Sequence, residues 1–183
     1  TLIMLTVSFI TILASLGSFE FMRRTLPGSS HDDQLRILRT VVAWFGVLAA
    51  AIALIGVFYL LVWPPAKLHL TSDQSVACGL ILVLTFHLTQ LVCFLMGRSD
   101  YAQSRLLMLL YSDAWFLPLL GLMWFTDITV SVMLWLWAIW LIVSLGVSQI
   151  WVRTRDIFRR RPSRGQIGQI LRFGIPLMPM IMG

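Results

Sequence analysis

Charge is scarce in this chain. Asp, Glu, Lys and Arg make up 12% of its 183 residues, and only one of its fourteen basic residues is a lysine, Lys67. An ordinary soluble domain is about 25% charged, so this polypeptide is poorly suited to a surface bathed in water. The familiar chemical signatures are missing as well. There is no G-x-x-x-x-G-K-S/T phosphate loop, no C-x-x-C, no H-E-x-x-H, no G-x-S-x-G and no D-x-D motif. No cluster of carboxylates could hold a divalent ion, so neither a metal nor a cofactor is expected. The loops are too short for a catalytic domain. A membrane-embedded acyl- or glycosyltransferase would need His, Asp or Arg gathered at a membrane face, which the sequence does not offer, and the chain is not read as an enzyme.

Cysteine is equally sparse. Cys78 and Cys93 are the only two. They fall in one expected helix about 22 Å apart along its axis, too far to bridge, so free buried thiols are expected. Residues 1–19 lack the basic leader and small-residue cleavage site of a signal peptide. The sequence opens inside one apolar run and stops inside another, and it is expected to be an internal piece of a longer protein.

Apolar residues are abundant. The chain is 58% hydrophobic, with a mean hydropathy of +0.87. An all-α integral membrane protein follows, because lipid leaves the backbone little choice but helix. A span needs about 20 mostly apolar residues. Five segments qualify: 1–19, 41–63, 76–96, 106–125 and 128–150. Residues 153–172 form a basic loop, and a sixth apolar segment starts at 173 and is unfinished at 183.

The arginines orient these spans. Arg23, Arg24, Arg36 and Arg39 lie between the first and second, Arg98 and Arg105 between the third and fourth, and seven more follow the fifth, from Arg153 to Arg172. The alternate connections hold Lys67 alone. Thirteen against one is the bias that fixes orientation, with the arginine-rich loops cytoplasmic. The net charge of +6 is therefore read as topology, and no nucleic acid is expected as a partner.

Local features fill in the rest. Leu26-Pro27-Gly28-Ser29-Ser30 reads as a turn followed by a polar stretch to Arg39. Trp63-Pro64-Pro65 ends the second span, since proline cannot continue the helical ladder. The short Thr126-Asp127 connection makes a hairpin of the fourth and fifth spans. Trp63, Trp124 and Trp151 suit the interfacial belt, whereas Trp135, Trp137 and Trp140 lie deeper and read as packing residues. Ser8, Thr11, Ser15 and Ser18 form a hydroxyl stripe that packs helices or lines a polar cavity. Gly46, Ala49, Ala53 and Gly56 form a small-residue stripe of the kind that lets membrane helices approach closely.

Ionisable groups deep in a span are costly and point to function. Asp113 in the fourth span and His87 in the third are the clear cases. A hairpin folded near residues 100–101 brings positions 88 and 113 to one depth, and Gln90 lies one turn from His87. His87, Gln90 and Asp113 are thus candidates for a polar cluster, either lining a lumen or bonding helices together. Arg23 and Arg24 sit where an inner cavity would open, and arginine suits phosphate.

Three stretches carry a resemblance. LASLGSFEFMRRTLPG at 13–28, RSDYAQSRLLMLLYSDAW at 98–115 and ILRFGIPLMPMIMG at 170–183 resemble the second, fifth and seventh helices of polysaccharide flippases. These belong to the superfamily of MATE-like multidrug exporters. The resemblance implies a helical bundle forming one lobe of a two-lobe transporter in the inner membrane. It implies alternating access around a cationic cavity, and flipping of a polyprenyl-diphosphate-linked oligosaccharide for polysaccharide biosynthesis. Its expected partners are the lipid-linked oligosaccharide, membrane lipids, a polysaccharide polymerase and glycosyltransferases. A MATE-type exporter of cations is the alternative within the fold, and a structural membrane scaffold the alternative outside it.

Overall fold

The computed structural model describes residues 18–62, 70–125, 127–152, 165–170 and Arg172. Its main helices among the described residues are α1 (Ser18–Thr25), α2 (His31–Val62), α3 (Ser72–Gly97), α4 (Tyr101–Ser112), α5 (Phe116–Leu122) and α6 (Val130–Val152), and residues 165–170 add a further helical turn. There is no strand among the described residues. Four helical stretches, with α4 and α5 counted together, are long and apolar enough to cross a membrane. Residues 1–17, 153–164 and 173–183 lie outside the described residues, and with them nearly all of the first expected span, most of the basic loop and the unfinished sixth segment.

α3 is the centre of the bundle. It packs against α2, α6, α4 and α1, and Phe86, Leu88, Gln90 and Phe94 are fully buried along it. The small-residue stripe explains its approach to α2. Ala49 and Ala53 are buried, and a Cβ placed on Gly79 would stand 2.6 Å from Val57 Cγ2. Gly56, the last of the stripe, faces open space.

Each end of the bundle is tied. At one end Gly97 lies so near the 3₁₀ turn Leu26–Gly28 that a Cβ there would come within 2.5 Å of Leu26 Cδ1. The turns after α1 and α3 thus meet at the end rich in arginine. At the other end Gln74 Nε2 donates to Ser131 Oγ at 3.0 Å, joining the starts of α3 and α6. The backbone N–H of Thr71 donates to Gln74 Oε1 at 3.1 Å, half of a capping box that fixes where α3 begins.

Two boundaries differ from the sequence reading. The polar stretch before Arg39 is helix, not loop, because Ser30 caps it. Ser30 Oγ accepts from the Asp33 N–H at 3.3 Å and donates to the Asp33 carboxylate at 2.7 Å. Leu35, Ile37 and Leu38 then bury one face. With 32 residues, α2 is about 48 Å long, well beyond a hydrocarbon core of about 30 Å. The fourth expected span, 106–125, is not one helix but two.

The cause of that interruption is Pro118. A proline ring clashes with the carbonyl four residues earlier, here Ala114, and removes the N–H that would have bonded to it. α4 therefore stops at Ser112, and α5 restarts at Phe116 with the proline in its first turn.

Candidate functional site

At the break the hydrogen-bond ladder changes register. The N–H groups of both Asp113 and Ala114 donate to Leu109 O, at 3.1 and 3.0 Å, and that of Phe116 turns to Asp113 O at 3.2 Å. The second Leu109 bond spans five residues, the signature of a π-type bulge, which recurs at functional sites. Leu110 O and Ser112 O thereby lose their helical donors. Two indoles replace them. Trp140 Nε1 on α6 donates to Leu110 O at 2.7 Å, and Trp115 Nε1 donates to Ser112 O at 3.1 Å. Trp115 also stacks on Trp137 with ring centroids 5.5 Å apart. The deep tryptophans thus hold the interruption in place, while Trp135 is partly exposed.

Asp113 stands at this interruption. Its side chain is exposed, and Ser112 Oγ donates to its Oδ2 at 2.6 Å. No cation pairs with it among the described residues. Tyr111 lies within hydrogen-bonding reach of Thr89 of α3, so this part of α4 sits about 12 Å along the axis from the Gly97 end of α3.

His87 and Gln90 face elsewhere. His87 Nδ1 bonds to Val83 O at 2.8 Å. A carbonyl only accepts, so Nδ1 carries a proton, and in the neutral ring Nε2 holds the lone pair. Nε2 points at α2, where a Cβ on Gly46 would be 2.9 Å away. Gln90 is fully buried and accepts from Ser18 Oγ of α1 at 3.0 Å. Its Nε2 has no hydrogen-bond acceptor among the described residues.

The expected cluster of His87, Gln90 and Asp113 is therefore not formed. The hairpin does bring position 111 to the depth of 89, but α4 covers the Thr89 side of α3. At 3.6 residues per turn that side is turned about 200° from His87. Depth could be read from the hairpin, whereas azimuth depended on which neighbour covered which face. Arg23 and Arg24 are exposed in the last turn of α1. The serine partner of Gln90 was visible as the last member of the hydroxyl stripe; Ser8, Thr11 and Ser15 lie outside the described residues. The interruption itself was missed, and Pro118 was the signal that could have found it.

Among the described residues no three His, Cys, Asp or Glu side chains gather into a metal-binding group. Both cysteines are free. What the arrangement offers is an interrupted apolar helix with an unpaired carboxylate and a hydroxyl at the gap. Such a gap can take up a proton or a cation. Comparison with protein-family models, with curated proteins and with solved structures gave no match.

Proposed function

We propose that this chain is part of a transporter that flips a polyprenyl-diphosphate-linked oligosaccharide across the inner membrane by alternating access. The interrupted helix at Asp113 carries the proposal. Discontinuous membrane helices are where transporters place substrate and coupling-ion sites. A lipid-facing carboxylate at mid-depth costs about 2.5–3.5 kcal/mol even on lenient scales, so Asp113 calls for water or a partner. A scaffold would have no use for either the break or the charge. The sequence resemblance in three separate stretches supplies the substrate class. The exposed Arg23 and Arg24 suit the diphosphate, and the split of basic residues supports placing their end of the bundle in the cytoplasm.

Asp113 also favours a second reading, export of an organic cation. One experiment separates the two. The full-length protein is reconstituted in vesicles and assayed for translocation of a lipid-linked oligosaccharide and, in parallel, of a cationic dye. Translocation of the sugar lipid, lost on Arg23→Ala/Arg24→Ala, is expected. Dye transport without sugar transport would replace the flippase by the cation exporter. In either case Asp113→Asn should lower transport while leaving the protein folded and inserted; transport unchanged by that substitution would remove the interruption from the mechanism.

A further inference from the structure

The chain returns to the bundle after its most basic stretch. Residues 165–170 are helical. Gln166 and Ile170, four apart, share one face of that turn, and both meet the bundle. Gln166 Oε1 accepts from Thr40 Oγ1 at 3.0 Å. Ile170 is fully buried and belongs to the hydrophobic core. Gly165, Gly168 and Gln169 are exposed on the other side. Thr40 is fully buried, and its single hydroxyl proton is shared between Gln166 Oε1 and Arg36 O, 2.8 Å away. It is thus a fixed anchor on the polar-start end of α2, where the helix runs past the core thickness.

We infer that residues 165–170 are a clasp that fastens the far end of the arginine-rich stretch to α2. α6 ends at Val152 and the chain is held again by Gln166. The stretch with Arg153, Arg155, Arg159, Arg160, Arg161 and Arg164 therefore starts and finishes on the same bundle. Both described segments that flank it are thus carried by this bundle. On the two-lobe transporter reading, on which this consequence rests, residues 165–170 move with this bundle through the cycle. A buried isoleucine and a buried hydroxyl partner are what a fixed attachment needs; a free tether would bury neither.

The test uses the full-length protein with both cysteines replaced by alanine and the pair Thr40→Cys/Gln166→Cys. A one-carbon bis-thiosulfonate reagent should cross-link the pair efficiently in membranes, and the cross-linked protein should keep its transport rate within about twofold of the reduced control, a change small beside the tenfold that 1.4 kcal/mol would bring. Absence of cross-linking overturns the clasp. Cross-linking that stops transport also overturns it, because the segment must then detach in the cycle. If the unlinked protein transports nothing, the transporter reading fails and takes the shared movement with it, while the cross-linking yield still judges the clasp. Hydrogen exchange on the unmodified protein guards against misfolding of the variants. Amides 166–170 should exchange at least about tenfold more slowly than a free helical turn, and Ile170→Ala should abolish that protection. Fast exchange in the unmodified protein would overturn the clasp.

Discussion

α3 and the α4–α5 pair are both apolar enough to span a membrane, yet they are built differently. In the most apolar window of α3, 61% of residues are buried inside the bundle; in α4–α5 only 11% are. α3 is continuous for 26 residues and touched on several sides. α4–α5 is broken at Asp113–Trp115 and offers Leu106, Leu109, Phe116 and Leu117 outward. Hydropathy alone treats the two as equivalent. The difference is that α3 is held by packing, whereas α4–α5 is held by hydrogen bonds from neighbouring indoles at its one weak point. A bundle can thus keep a rigid hub and still carry an open, polar gap at its edge.

The contrast is easiest to break with large-to-small changes. Phe86→Ala or Phe94→Ala in α3 removes a fully buried ring and should cost about 3–5 kcal/mol. Phe116→Ala in α5, where the ring is half exposed, should stay within about 0.5 kcal/mol. Thermal unfolding in detergent reads both. Equal losses would mean that α3 is not the hub.

Glycines sharpen the same contrast at smaller scale. Gly97→Ala and Gly79→Ala drive a methyl into Leu26 and Val57 respectively, and should each cost about 1–3 kcal/mol of overpacking. Gly121→Ala in α5 meets nothing within 4 Å. It should gain up to about 1 kcal/mol from helix propensity. A stabilised Gly97→Ala would show that the two turns at that end move apart freely.

The interruption has its own test. Trp140→Phe keeps only a six-membered aromatic ring and removes the donor to Leu110 O, at an expected cost of about 1–3 kcal/mol for an orphaned carbonyl. Pro118→Ala lets the N–H of residue 118 return to Ala114 O and the helix close. In that background Leu110 O regains a helical donor, and Trp140→Phe should cost less. The coupling in the double-mutant cycle measures how far the indole and the proline act on one break. Strict additivity would mean that they do not.

How much of this was legible in the sequence differs from region to region. The ends of α3 and α6 were found to within four residues, because long apolar runs bounded by polar residues leave a membrane helix little freedom. The packing role of Gly46, Ala49 and Ala53 followed from spacing. α2 began ten residues earlier than its apolar run, since its first turns are amphipathic and rest on a Ser30 cap that hydropathy does not register. The break in α4–α5 was hidden because Pro118 is surrounded by leucines that keep the window apolar. The separation of His87 from Asp113 was beyond reach for another reason. Axial depth is a property of one hairpin, but facing is set by the whole arrangement of neighbours around α3. Gln90 meeting Ser18 and Thr40 meeting Gln166 are contacts between residues 72 and 126 apart in sequence, and no local pattern encodes them.

The smallest effect lies at the joint between the two regions. α3 ends in a Schellman motif: the Asp100 N–H reaches Leu95 O at 2.9 Å and the Ser99 N–H reaches Met96 O at 3.0 Å. The motif needs a left-handed residue, and Ser99 takes that place with φ 63°. An L-residue there costs about 1–2 kcal/mol. Ser99→Gly relieves that cost but enlarges the unfolded ensemble by about 0.4–1 kcal/mol, so the net gain should be under about 1 kcal/mol. Ser99→Val should lose stability, since a branched side chain is a true outlier at positive φ. The neighbouring Arg98–Asp100 pair, 3.4 Å apart and partly exposed, is worth about 0–1 kcal/mol, so Arg98→Gln serves as the near-silent control. The order Gly above Ser above Val in unfolding temperature is the expected result. Were Val to match Gly, the stop of α3 would be set by Leu26 pressing on Gly97 and not by the left-handed turn. The division between the continuous and the interrupted helix would then rest on packing alone.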